Sequence, residues 1–373
     1  MATKGNRNQG LFNLFSKHLL FLKDNGYLKG IKLKYPNTFI CPICLRQFSE
    51  NDLDPNSSNM LTIEHAPPES LGGSGGTLTC KECNSTAGTE IDAYLVGRLR
   101  EIESRAFMPE TETRVKVTNG GVTVQGKIAV DKHGTMTMTH DIKLNHPGKL
   151  ADFIERVNPD TNPLINIQFN NRNNKTDFAR WQVGLLKSAY LLIFKRYGYS
   201  FILDSVYDIV RKQIRNPKFK IYPGKFWIED GILREEYNGI NLSNTPMLES
   251  IYCVFSLQTS VSKYLYGIHL PIPMLPAEVL LENLHRILAN GKMEFSFEKE
   301  ESDKDFLFNI ENIDSMQNWF YRIRNVKIGL YDKLNIPTAI NYLKKPVTKW
   351  EYNYYFFPPK PTDVWPPRLV RSN

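Results

Sequence analysis

Apolar and polar positions in the first quarter of the chain alternate with two different periods. In Leu11-Phe-Asn-Leu-Phe-Ser-Lys-His-Leu-Leu-Phe-Leu-Lys23 the apolar residues recur every three or four positions, which predicts an amphipathic helix over roughly 11–25 after a loose polar start at Met1–Gln9. Lys17 and His18 interrupt the run and no small-residue cleavage site follows, so it reads as neither a signal peptide nor a membrane span. Residues Leu61 to His65 are β-branched and alternating, as in a short strand, and Gly72-Gly73-Ser-Gly75-Gly76 reads as a flexible turn. From Asn84 to Arg100 the period is helical again, with Ile91, Tyr94, Leu95 and Leu99 on one face. The pattern predicts a strand, a loop and a helix in close succession.

Beyond residue 105 the elements mix. Residues 113–144 alternate as two or three strands, the first pair turned by Asn119-Gly120-Gly121. Asn158–Asn174 is rich in Asn and Pro and reads as loop; Phe178–Tyr197 and Leu203–Arg215 read as strong helices. Short aromatic strands are expected at Lys220–Trp227, Ile251–Ser256 and Tyr264–Leu270, with a helix near Ala277–Ala289. The tail from Tyr352, dense in aromatics and proline, reads as an extended strap. The expected class is α+β, divided into an N-terminal helical segment (1–35), a small module (36–104) and a larger mixed region (105–373), the last comprising hairpins at 113–144, helices at 178–215 and mixed structure at 217–373.

Composition narrows this moderately. A chain of 373 residues with 41% hydrophobic content has room for real cores, which excludes wholesale disorder. The net charge of +8 favours a polyanionic partner such as nucleic acid. Charge is uneven: Glu298–Asp314 is acidic, whereas Arg211–Lys220 and Lys344–Lys349 are basic. Five cysteines are an odd number, and Cys253 stands alone in the apolar run Ile251–Ser256, where it reads as buried and inert. A disulfide framework does not fit, and a reducing cytoplasm does.

The other four cysteines carry the chemistry. Cys41-Pro-Ile-Cys44 and Cys80-Lys-Glu-Cys83 are paired thiolates at the spacing of a tetrahedral Zn²⁺ site. Four soft ligands leave no open position, so such a zinc is structural. Between the pairs stand Glu64 and His65, and Asn84 follows the last cysteine directly. His65 is suited to deprotonate water as a general base. Glu64 and Asn84 offer hard oxygens for a catalytic Mg²⁺ or Mn²⁺, which tolerates two protein ligands because it keeps waters and takes phosphate oxygens. Adjacent residues point to opposite faces of an ideal strand, so Glu64 and His65 reach one phosphate only if a bulge or strand end separates them. Asp92 lies two turns beyond Asn84, roughly 12 Å along a helix, and reads as a supporting residue.

The strings CPIC, LTIEHAPPESLGG and LTCKECNSTAG together resemble the HNH (ββα-metal) endonucleases with a zinc-knuckle frame, over roughly residues 38–100. The resemblance implies His65 as general base, Glu64 and Asn84 as ligands of the catalytic metal, and the four cysteines as the zinc site. Three positions depart from the family pattern: Glu64 stands where Asp is usual, Gly75-Gly76-Thr77 replaces a middle Asn, and Gly88 occupies a place where some members carry a further His.

The resulting expectation is a cytoplasmic endonuclease with no membrane association, acting on DNA in preference to RNA. By analogy with stand-alone HNH proteins it would be an effector of bacterial defence against phage or plasmids. Two alternatives stay open. One is an HNH subunit whose C-terminal region docks on a protein partner, for example a nucleic-acid-guided short Argonaute. The other is a zinc-stabilised nucleic-acid-binding module without catalysis.

Overall fold

A computed structural model describes residues 4–333 except 29, 141, 158–164, 170–177, 223–226, 229–232, 244, 246, 247, 274, 291–296 and 301–305. The basic run Lys344–Lys349 and the aromatic tail lie outside the described residues. Helix α1 spans Lys4–Asp24 and buries Phe12, Phe15, Leu19 and Leu22 completely, the stripe expected from their spacing. It starts a full turn or more before the polar stretch was expected to end. Gln9 ties that early part down by donating to Asn13 and to Glu50.

The short strands β1 (Phe39–Ile40) and β2 (Gln47–Phe48) pair antiparallel around the first Cys pair. Strands β3 (Leu61–Ala66) and β4 (Ser74–Cys80) form the central hairpin. The glycine run is therefore not all turn. Gly72 takes the left-handed conformation (φ +81°) that closes the turn, while Gly75 and Gly76 lie within β4. After β4 come α2 (Lys81–Ala87), a π-helical turn at Gly88–Asp92 and α3 (Ala93–Arg105), which together bury Ile91, Leu95 and Leu99.

A four-stranded antiparallel sheet follows, built from β5 (Glu112–Asn119), β6 (Val122–Val130), β7 (Met136–His140) and β8 (Asn166–Phe169) in the order β7-β6-β5-β8. Gly120 and Gly121 both have positive φ and make the tight turn between β5 and β6. Strand β8 lies inside the stretch expected to be loop: Asn-Ile-Gln-Phe is a short alternating segment that gains its order by pairing with β5. Helix α4 (Pro147–Arg156) covers this sheet, and Phe153 packs with Val115, Val117, Val124 and Ile128 in a core of its own.

Helix α5 (Phe178–Tyr197) is central to the rest. It is followed by the short α6 (Tyr199–Ile202) and by α7 (Asp208–Arg215), which begins five residues later than the apolar pattern suggested because Asp204 caps a 3₁₀ turn first. The second sheet runs β13-β10-β11-β12-β9, from β9 (Trp227–Ile228), β10 (Gly239–Ser243), β11 (Ser250–Gln258), β12 (Lys263–Leu270) and β13 (Phe297–Lys299). Of the strand expected at 220–227, only Trp227 is found in a strand among the described residues. Helices α8 (Ala277–Asn290) and α9 (Ile310–Lys333) complete an α+β fold.

One continuous apolar core joins α1, the hairpin, α3, α5, the five-stranded sheet, α8 and α9. Among the described residues no helix is long and apolar enough to cross a membrane. Cys253 is buried in this core, which pushes its thiol up to about 12 and leaves it unreactive.

Two histidines in the core predict an acid limit. Burial pulls His18 and His269 down to about 3, so both stay neutral in the folded state while the unfolded chain protonates them below about 6.5. Their contribution is intact above pH 6.5 and is lost as pH falls, by about 1.4 kcal/mol per pH unit for each. Buried Asp204, raised to about 7, and Asp92, also raised by burial, work in the opposite sense. The melting temperature of the wild type is therefore expected to fall more steeply, or rise less, between pH 6.5 and 4 than that of His269→Gln, and parallel profiles would contradict the neutral burial of this imidazole.

Candidate functional site

The register of the hairpin decides which side chains meet. Strand β3 pairs Leu61 with Cys80, Thr62 with Thr79, Ile63 with Leu78 and Glu64 with Thr77; the register then shifts, and His65 faces Gly75. A register shift does occur between Glu64 and His65, but the extra residue is Gly76 on β4, and the bulge does not bring the two side chains to one face as the sequence reading required. Cys80 ends β4 and caps α2, which places Cys83 and Asn84 in the first turn of that helix. Cys41 and Cys44 sit in the turn between β1 and β2, where the Cys41 N–H donates to Arg46 O and the Leu45 N–H donates to Cys41 O, both at 2.9 Å.

All four sulfurs lie within 4.8 Å of one another, with Cys44 Sγ and Cys80 Sγ 3.8 Å apart. A regular tetrahedron with zinc–sulfur bonds of about 2.3 Å has sulfurs roughly 3.8 Å apart, so the cluster fits a structural zinc without rearrangement. Arg46 reinforces it, donating to Cys44 Sγ (3.3 Å) and Cys80 Sγ (3.4 Å) while pairing with Glu82 (2.6 Å), so its charge opposes that of the thiolates. Two tyrosines hold the first knuckle from behind. Tyr190 donates to Pro42 O, and Tyr199 donates to Ile40 O while accepting from the Ile40 N–H.

His65 and Asn84 line one open cleft together with Thr62, Ile63 and Glu69. The Asn84 amide nitrogen donates to Thr62 Oγ1 and Ile63 O, each at 2.8 Å, which fixes the carboxamide and leaves its oxygen as the group free to bind a hard cation or a water. His65 is about a quarter exposed, and its Nε2 stands 3.9 Å from the exposed Glu69 carboxylate. The cleft thus offers an imidazole and an oriented amide oxygen close to the four-sulfur cluster.

Glu64 does not join them. Despite the bulge it stays on the inner side of the hairpin, 2% exposed, where Oε2 accepts from Thr79 Oγ1 (3.1 Å) and Oε1 lies 2.9 Å from Lys187 Nζ. Lys187, fully buried on α5, also reaches Asp92 Oδ2 at 2.7 Å. Burial pulls the Lys187 ammonium down, but Glu64 and Asp92 outweigh it and the net shift is upward, so the lysine is charged. Burial pushes Asp92 up; Lys187 partly offsets this, and Glu64 adds to it. The ammonium therefore takes the place between Glu64 and Asp92 that a cation would fill. Gly88 opens the π turn one helical turn beyond Asn84 and brings no ligand.

The cleft also contains residues that motif reading passed over: Arg7, Asn8 and Gln9, brought in by the early start of α1, and Glu69. Nothing in Arg7's sequence surroundings marks it. Lys187 did carry a signal, as a lone charge amid Leu185, Leu186, Ala189, Tyr190 and Leu191, all buried. No family model matches this chain, and no curated protein or solved structure matches it either.

Two outcomes follow from this geometry. Metal analysis of freshly purified protein is expected to give one zinc per chain; a folded sample well below that value would count against the four-thiolate frame. Lys187→Met leaves the buried Glu64 and the partly buried Asp92 uncompensated and is expected to cost about 3–5 kcal/mol in urea unfolding. The charge-neutral combination with Glu64→Gln and Asp92→Asn should recover most of that loss, and no recovery would show that the lysine acts through packing alone.

Proposed function

We propose that this chain is a metal-dependent endonuclease of the HNH type that hydrolyses phosphodiester bonds in DNA. The observation that carries the reading is the convergence of His65 and Asn84 on one solvent-open cleft, held there by a hairpin and helix that share a four-cysteine cluster. His65 removes the proton from a water aligned with phosphorus; the water oxygen bonds to phosphorus as the bond to the 3′ oxygen breaks. The leaving oxygen takes a proton from solvent, giving 5′-phosphate and 3′-hydroxyl ends. Asn84 Oδ1 would hold Mg²⁺ or Mn²⁺, which when bound supplies charge neutralisation on the nonbridging and leaving oxygens. Thr62 and the Ile63 carbonyl keep the amide oxygen aimed correctly for that task. The net charge of +8 suits a nucleic-acid substrate, and a role in defence against phage or plasmids rests on analogy with the family the motifs resemble.

One observation favours a second reading. The carboxylate that the motif assigns to the catalytic metal is occupied by Lys187 inside the core, which suits a zinc-stabilised nucleic-acid-binding protein without catalysis. Gating by a protein partner that docks on the C-terminal region would be a third reading of the same site.

Nicking of supercoiled plasmid with Mg²⁺, Mn²⁺ or EDTA separates them. The wild type is expected to nick only with metal, and His65→Ala to lose about 10²–10⁴-fold in rate. No nicking by folded, zinc-loaded wild type would favour the binding or gated reading, and equal rates for wild type and His65→Ala would remove His65 from the chemistry.

A further inference from the structure

Helix α1 lies outside the segment that resembles a nuclease module, yet its first turns form one wall of the cleft. There Arg7 donates through Nη2 to the Gly75 carbonyl, directly across the hairpin from His65. Gly75 is what lets the two come close. A Cβ built on it would lie 3.1 Å from His65 Nε2, 3.2 Å from Arg7 Nη2 and 2.4 Å from Ile63 Cγ2, so any larger residue would push them apart. Both nitrogens border the same point, which puts them no more than roughly 6 Å from each other.

That spacing has a chemical meaning. A base in hydrogen-bond reach of a water, itself about 3–3.5 Å from phosphorus, has the phosphate about 6 Å away. Arg7 is exposed, and its single bond to Gly75 O uses one of five N–H donors; no other hydrogen bond or ion pair engages it among the described residues. Guanidinium presents its remaining donors as a planar fork that matches two phosphate oxygens, and it remains charged at any working pH.

We propose that Arg7 is a phosphate-contacting residue of this cleft, so that the N-terminal helix supplies the cationic half of a site whose base is His65. This rests on the reading of the cleft as a nuclease site. Arg7 grips the nonbridging oxygens of the phosphate beside His65, and the Gly75 carbonyl holds the guanidinium in place for it. The expected ligand is the sugar–phosphate backbone, with no preference among bases.

Binding of a short fluorescein-labelled DNA duplex, followed by anisotropy at several salt concentrations, tests this in full-length His65→Ala protein, where cleavage is blocked. Adding Arg7→Ala is expected to weaken binding on the order of tenfold. It should also reduce the slope of log K against log salt by about one, the signature of one lost phosphate contact. Arg7→Lys should restore the slope but only part of the affinity, because the charge returns without the fork. Lys195→Ala removes the same charge from beside Gly76, outside the cleft lining, and is expected to leave the slope unchanged. An unchanged slope in Arg7→Ala, at an unchanged melting temperature, would overturn the assignment, as would equal slope losses for Arg7→Ala and Lys195→Ala. Failure of the His65→Ala parent to bind any duplex would instead overturn the reading of the cleft, and Arg7's role with it.

Discussion

The register of the β3–β4 hairpin is the constraint on which the site depends. Side chains alternate strictly along a strand, so a slip of one residue would send His65 into the core and expose Glu64. The ladder runs from Leu61–Cys80 to Glu64–Thr77 and resumes at His65–Gly75, with Gly76 of β4 as the extra residue. Inside, a carboxylate meets a buried ammonium; outside, an imidazole meets solvent beside Asn84. The two adjacent residues thus do opposite things because the strand turns them to opposite environments.

Two kinds of link hold that register. The four sulfurs connect the β1–β2 turn to the end of β4 and the start of α2, so a single zinc would tie three segments together that are too short to be stable alone. The second link comes from α5. Lys187 bonds β3 to the π turn after Asn84, while Tyr190, one turn further along, bonds the first knuckle. A fully buried lysine is tolerated only because the buried Glu64 and the partly buried Asp92 meet it, and the Glu64 carboxylate is buried only because the lysine is there. The hairpin therefore does not stand apart from the larger body: α1 walls its cleft and α5 forms its back.

Much of this was legible in the sequence. The thiolate spacing predicted the cluster, and the β-branched alternation of Leu61 to His65 predicted the strand. The helix after Asn84 followed from the spacing of Ile91, Leu95 and Leu99, whereas the bulge expected to bring Glu64 and His65 to one phosphate leaves them on opposite faces. What escaped was of two kinds. Short elements stabilised by tertiary pairing, such as β8 and the glycine-bearing start of β4, have no periodicity to betray them. Contacts between residues far apart in sequence, such as Lys187 with Glu64 or Arg7 with Gly75, are set by how helices dock on the hairpin. Glu64 shows the limit best, because its motif position suggested a metal ligand and the docking of α5 gave it a lysine.

The central claim is that water attacks phosphorus in the cleft shared by His65 and Asn84. Mass spectrometry of a DNA duplex incubated with zinc-loaded protein and Mg²⁺ in ¹⁸O-labelled water tests it most directly. The account predicts 5′-phosphate ends carrying one heavy oxygen with the wild type and almost none of that product with Asn84→Ala. Intact DNA with the folded wild type, or labelled product at the wild-type rate with Asn84→Ala, would contradict it.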